Sequence, residues 1–271
     1  MGSDASRSAP VLVVAGLAFE ARIARACPGV DVLYGVGNAL TDPGAALSKQ
    51  LTEMASRASG IVSFGTAGGL DPRWVPGDCL LGTHIVSERE PPGVSERLSD
   101  SPSPSTGSSF PAATSNETCD ENGHETRYET YATDAKWLEA LSRALPEAHR
   151  VRLFGAHAPV ASARDKAALF SRSQAGAVDM ESHHLARLAA HHGLPFAVCR
   201  VVIDRADQNV PPAALAGMSA DGHTHLLPVL ASLFRQPSQL PALLRLGQDA
   251  GRAQRAMKAI GAKLPVRFGL P

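Results

Sequence analysis

The chain of 271 residues lacks an excess of either charge: 26 Lys plus Arg stand against 26 Asp plus Glu, for a formal net charge of +0. Nucleic-acid binding draws on a basic excess, so the composition argues against that class of partner. Cysteine is scarce. Cys27, Cys79, Cys119 and Cys199 are far apart and form no CxxC pair, which argues against a disulfide framework or a zinc ribbon and fits a reducing cytoplasm. Such thiols read as small buried apolar residues. Residues 1–10 lack the apolar stretch of a signal peptide, and no run approaches the ~18 apolar residues of a membrane span. A secreted or membrane-spanning protein is therefore disfavoured, while attachment to the inner face of a membrane stays open.

Hydrophobic residues make up 44% of the sequence, enough for a sizeable core. The β-branched run VLVVA at 11–15 reads as a buried strand, and residues 19–26 after Gly16 read as a helix. A second strand is expected at 30–34, closed by Gly35 and Gly37. Pro43 is suited to opening a helix that continues to about Arg57. Residues 61–64 read as a strand entering a loop, Gly65-Thr66-Ala67-Gly68-Gly69, and 78–86 as another strand. Later, a strand near 176–178 leads into a helix over 181–192. The run PFAVCRVVI at 195–203 is the strongest strand signal, with Asp204 at its end. This alternation predicts a single α/β domain: a three-layer sandwich whose mixed, mostly parallel sheet is flanked by helices.

Two stretches depart from the pattern. Residues 90–127 are dense in Ser, Pro, Thr, Glu and Gly and contain SPSPS, a composition that buries too little apolar area to offset chain entropy. They read as a disordered insertion within the domain. From about residue 237 the chain reads as a helical extension, with Leu240, Leu243, Leu244 and Leu246 beside Arg245, Arg252, Arg255 and Lys258. Such a helix either packs on the sheet or lies on a membrane or lipid-like substrate.

Three segments carry polar residues at the C-terminal ends of strands, the edge where open α/β sheets bind ligands. They are GLAFEARIA, containing Glu20; SFGTAGGLDPRWVPGD at 63–78; and AVDMESHHLARLAAHHGLPFAVCRVVIDRAD at 177–207. Their order and spacing resemble the superfamily of nucleoside phosphorylases and methylthioadenosine/adenosylhomocysteine nucleosidases. The middle segment resembles that superfamily's GSAGGL and GD signature, and the last its VEMEA, PF and SD-x-AD signature. A narrower resemblance, carried by AVDMES, Val210-Pro211-Pro212-Ala213-Ala214-Leu215 and RQPSQLPALLRL, points to the hopanoid-associated phosphorylase group, linked to removal of adenine from adenosylhopane.

The resemblance implies cleavage of a purine N-glycosidic bond, with a small-molecule or lipid-linked nucleoside as substrate and a homo-oligomeric assembly. Such cleavage leaves oxocarbenium character on the ribose and charge on the departing base, which an acid near the purine N7 neutralises. By resemblance Asp204 is that acid; alone, it also reads as a cap on the following turn. Glu181 matches the carboxylate that accepts hydrogen bonds from the 2′- and 3′-hydroxyls, and Met180 lines the sugar; a Glu at a helix N-terminus is also favoured by the helix dipole. Gly68 lies beside the purine or sugar. The N–H groups of Thr66, Ala67, Gly68 and Gly69, with the Thr66 hydroxyl, are suited to holding a phosphate or a water.

Glu20 matches the position at which related nucleosidases activate water. Ser63 stands where many phosphorylases carry an arginine, which favours hydrolysis, yet Arg22, Arg25 and Arg200 keep phosphate open as a co-substrate. No resident cofactor is expected. The stretch Ala156-His157-Ala158-Pro159-Val160 lacks the Phe that stacks on the purine in the nucleosidases, which points to an unusual substrate. His183, His184, His191 and His192 share one helix, where His184 and His191, seven apart, can share a face; a metal site asks for i,i+4 pairs with a carboxylate and a second shell, so none is expected. Gly35-Val36-Gly37 lacks the third glycine of a dinucleotide fingerprint.

Overall fold

The apolar runs at 11–15 and 196–203 are continuous because both faces of their strands are covered. In the computed structural model, which describes residues 9–36, 46–89, 114–119, 125–217 and 236–271, alternate residues of β1 (Val11–Ala15) enter opposite cores. Leu12 and Val14 pack with α2 (Ala46–Ser56) and α5 (Ser182–His192). Val11 and Val13 pack with α1 (Ala18–Ala24), α3 (Ala135–Ala144) and α7 (Leu240–Lys263). The same alternation holds in β9 (Phe196–Asp204), where Val198 and Val202 face the first core and Ala197, Cys199 and Val201 the second. A parallel strand buried on both faces reads as one hydrophobic run, and that is what the sequence contains.

The remaining strands are β2 (Val30–Tyr34), β3 (Gly60–Gly69), β4 (Cys79–Glu88), β5 (Thr114–Cys119), β6 (Glu125–Ala132), β7 (His149–Gly155) and β8 (Ala177–Asp179); the remaining helices are α4 (Ala163–Ser173) and α6 (Pro212–Gly217). The sheet runs β2-β1-β3-β8-β7-β4-β6-β5, with β9 paired to both β3 and β4. These pairings make a closed circuit, β3-β9-β4-β7-β8 and back to β3. β1, β2, β3 and β9 run parallel, as do β4, β7 and β8 in their pairings, while β8 meets β3, and β9 meets β4, antiparallel. The expected α/β sandwich with a mixed sheet between helices is the fold.

Three details depart from the sequence reading. The expected glycine loop at 65–69 is the second half of β3, which continues past β9 to pair Gly68 and Gly69 with Val178 and Ala177. The stretch expected to be disordered contains β5 and the start of β6, paired antiparallel from Thr114 to Thr130 through Cys119 to Glu125. β6 in turn pairs with β4, placing Tyr128 and Tyr131 in the buried interior; composition cannot reveal this neighbour. Residues 90–113 and Pro43 lie outside the described residues. Finally, the C-terminal helix divides its roles. From Asp249 onward it buries Asp249, Ala253, Met257 and Ile260, whereas Leu240 and Leu244 near its start are exposed. Among the described residues, no helix is long and apolar enough to cross a membrane.

Candidate active site

Gly16 and Leu17 turn the chain from the end of β1 into α1, so Glu20 lies back over the strand ends. Its carboxylate is buried. Oε2 accepts from the Leu17 N–H at 2.9 Å, and Oε1 accepts from the Thr66 N–H at 2.8 Å and the Thr66 hydroxyl at 2.9 Å. The Thr66 N–H expected to face a ligand is therefore occupied by Glu20. Burial pushes the Glu20 carboxyl above its ordinary range, and Arg200 pulls it partly back.

Arg200 organises this end of the site. It projects from β9, is 1% exposed, and requires a glycine across the ladder: a Cβ on Gly65 would lie 2.6 Å from its Nη1 and 2.7 Å from Glu20 Oε2. Nη2 donates to Ser63 Oγ at 2.7 Å, Glu181 Oε2 at 3.1 Å and Ser182 Oγ at 3.2 Å. Nε is 2.9 Å from Asp179 Oδ2, an ion pair at contact distance that is not aligned as a hydrogen bond. Asp179 also opens α5: its Oδ1 accepts from the Glu181 N–H at 3.1 Å and the Ser182 N–H at 2.8 Å, and Ser182 Oγ donates to its Oδ2 at 2.5 Å. This capping aims Glu181 at the site.

Glu20 and Glu181 meet above Gly16, where a Cβ would stand 3.1 Å from Glu181 Oε1 and 3.7 Å from Glu20 Oε2. Burial, opposed by Arg200 and reinforced by Asp179 and Glu20, raises the Glu181 carboxyl to about 7. Asp204 is placed further along. The register moves from Ala67↔Val202 to Gly68↔Asp204, leaving Ile203 as an extra residue, and this bulge re-aims the end of β9. A Cβ on Gly68 would lie 3.3 Å from Asp204 Oδ1. Gly65 and Gly68 are three residues apart, roughly 10 Å along an extended strand, so one strand spans the ends marked by Glu20 and Asp204.

Asp204 does not stand alone. The fully buried Lys166 of α4 forms an ion pair with its carboxylate and donates to the carbonyls of Arg205 at 2.8 Å and Gln208 at 3.1 Å. Burial nevertheless raises the Asp204 carboxyl, with Lys166 opposing and Asp249 of α7 adding to the rise. Lys166 escaped the sequence reading although a signal existed: it shares the inward face of α4 with Leu169 and Ser173, three and seven residues on. Among the other expected residues, Thr66, Gly68, Met180 and Glu181 are half-buried and form the accessible side, whereas Ala67 and Gly69 are buried. Ser63 is buried and serves Arg200. Arg22 and Arg25 are exposed, and Arg25 lies over the Tyr34 ring, 5.3 Å from its centroid.

The sequence profile of the Phosphorylase superfamily matches residues 13–224, more than half of the chain. The chain belongs to this superfamily. No curated protein matches it. Among solved structures, an S-adenosylhomocysteine nucleosidase of Streptococcus pyogenes is 13% identical with a TM-score of 0.55, covering 97% of this chain and 100% of that one. Futalosine hydrolase of Helicobacter pylori is 14% identical with a TM-score of 0.53, covering 95% and 99%. The 5′-methylthioadenosine/S-adenosylhomocysteine nucleosidase of Neisseria meningitidis is 17% identical with a TM-score of 0.53, covering 93% and 97%. At these identities the likeness is one of fold. Within the superfamily fold of this chain, the middle and last sequence segments line the two strands, β3 and β9, that carry the candidate site.

Proposed function

We propose that this phosphorylase-superfamily member cleaves the N-glycosidic bond of a purine nucleoside, with water as acceptor and adenine as the released base. In this reading Asp204, whose carboxyl burial raises against the pull of Lys166, donates to the purine as its bond to the sugar breaks. Glu181 accepts from the ribose hydroxyls, Met180 lines the sugar, and Glu20 takes a proton from the attacking water. Gly68 leaves space beside Asp204 for the base.

The observation that carries the choice of water is the charge around Glu20. Three carboxylates, Glu20, Asp179 and Glu181, surround one guanidinium that already bonds Ser63, Ser182 and Glu181. A phosphate dianion would enter against that negative excess and find Arg200 engaged. The finer substrate, a nucleoside on a lipid such as adenosylhopane, is supported by the AVDMES resemblance and by Leu240 and Leu244, exposed at the start of α7.

The test is to incubate the enzyme with an adenosyl-lipid and with methylthioadenosine, with and without inorganic phosphate, and to identify the sugar product. Free adenine with an unphosphorylated sugar, at a rate indifferent to phosphate, is expected. A sugar 1-phosphate would overturn water as acceptor, and release of no base from either compound would overturn the reading as a whole.

A further inference from the structure

The sequence pairs His184 with His191 by spacing, but the fold brings His157 to His183 and His184. His157 follows the end of β7, and the other two occupy the first turn of α5. Their candidate ligand nitrogens all lie within 4.8 Å of one another. The ring centroids are 3.9 Å apart for His183 and His184, 4.8 Å for His157 and His183, and 6.0 Å for His157 and His184.

His183 makes the cluster more than a coincidence of surface imidazoles. It is fully buried, and neither of its ring nitrogens has a hydrogen-bond partner. A buried imidazole left unpaired is costly, and it needs something to accept its lone pair. The fold also makes room for this ring: a Cβ on Gly155 would lie 2.4 Å from His183 Nδ1. His157 shows the outer-shell pattern of a ligand. Its Nε2 is 3.2 Å from the Glu88 carbonyl, which only accepts, so Nε2 carries a hydrogen and the ring is oriented by the backbone.

We propose that His157, His183 and His184 bind one divalent transition-metal ion of the zinc class. Tetrahedral coordination at the usual Zn–N length separates ligand nitrogens by about 3.4 Å. The three nitrogens lie within 4.8 Å of one another and close by up to about 1.4 Å on binding. Three histidines leave a fourth position for water or a ligand. Arg187 is the cation that opposes an ion here, and its guanidinium is held 3.2 Å from the Glu129 carboxylate. The ion ties the end of β7 to the first turn of α5, beside the segment that carries Glu181. This site does not depend on the proposed cleavage reaction.

The test uses tag-free, chelator-treated full-length protein, titrated with Co(II) and then Zn(II). One Co(II) per chain is expected, with visible ligand-field bands that Zn(II) abolishes, and Zn(II) should raise the Tm. His157→Ala, at the exposed ligand, and His184→Ala should each weaken Zn(II) binding by at least ~10-fold. The double substitution His191→Asn, His192→Asn should leave it unchanged. No binding, binding that persists undiminished in His157→Ala and His184→Ala, or binding lost in the His191/His192 variant would each overturn the site.

Discussion

At the Glu20 end of the candidate site three carboxylates share one guanidinium, and the network is closed by serine hydroxyls and backbone N–H groups. At the Asp204 end one carboxylate meets one ammonium, which is itself anchored on two carbonyls. The first arrangement carries a negative excess, so it favours neutral hydroxyls and water over anions. The second is balanced, and burial decides which way its acid leans. One strand, β3, joins them, and its glycines let both sets of side chains approach.

The largest expected effect breaks the Asp204 end. Asp204→Asn should reduce kcat by about 10²–10⁴-fold, the usual share of a general acid, measured as adenine release. Because the substitution leaves Lys166 buried without its counter-ion, stability must be measured alongside. Asp204→Asn with Lys166→Met should recover Tm but not rate. If the double variant regains activity, Asp204 is a partner for Lys166 and not the acid.

The next effect breaks the Glu20 end. Arg200→Met removes the cation from three buried carboxylates and should destabilise the fold by about 3–5 kcal/mol, read by chemical denaturation. A loss below ~1 kcal/mol would mean that this network is weakly coupled.

Lys166→Met alone sharpens the comparison through pH. The raised Asp204 carboxyl must be protonated to act, so kcat should fall as pH rises through its value in the folded enzyme. Removing the ammonium withdraws the effect that lowers this value, so the descending limb should move to higher pH. The linked contribution of Asp204 to stability has the same sign: it is present below the ordinary carboxylate range and lost as pH rises through the elevated value. A limb that stays in place or moves to lower pH would refute the assignment.

A smaller effect is expected from Gly65→Ala, whose methyl would press on Arg200 and Glu20. A stability loss of about 1–3 kcal/mol, with a loss of rate, should follow, and a neutral result would show that the two side chains can withdraw. Smallest is Ser63→Ala, which removes one hydrogen bond to Arg200 and should cost about 1 kcal/mol.

Much of this architecture is readable before any coordinates. Val11–Ala15 and Phe196–Asp204 announce themselves because strands covered on both faces must be apolar throughout. Glu20, Glu181 and Asp204 stand out because each follows an apolar run at a strand end. β5 and the start of β6 were hidden by composition, since their order comes from pairing with each other and with β4. Lys166 was legible only through its spacing from Leu169 and Ser173.

Local patterning by itself determined the layered α/β order and which carboxylates stand at strand ends, because hydrophobic periodicity and chain turns are near-neighbour properties. Only the tertiary structure decided that Arg200 lies among three acids, that Lys166 reaches Asp204, and that His157 joins His183 and His184. Those meetings bring together residues far apart in the chain. They depend on strand order, on the bulge at Ile203 and on glycines that admit close approach, and no sequence spacing encodes a distance across a sheet.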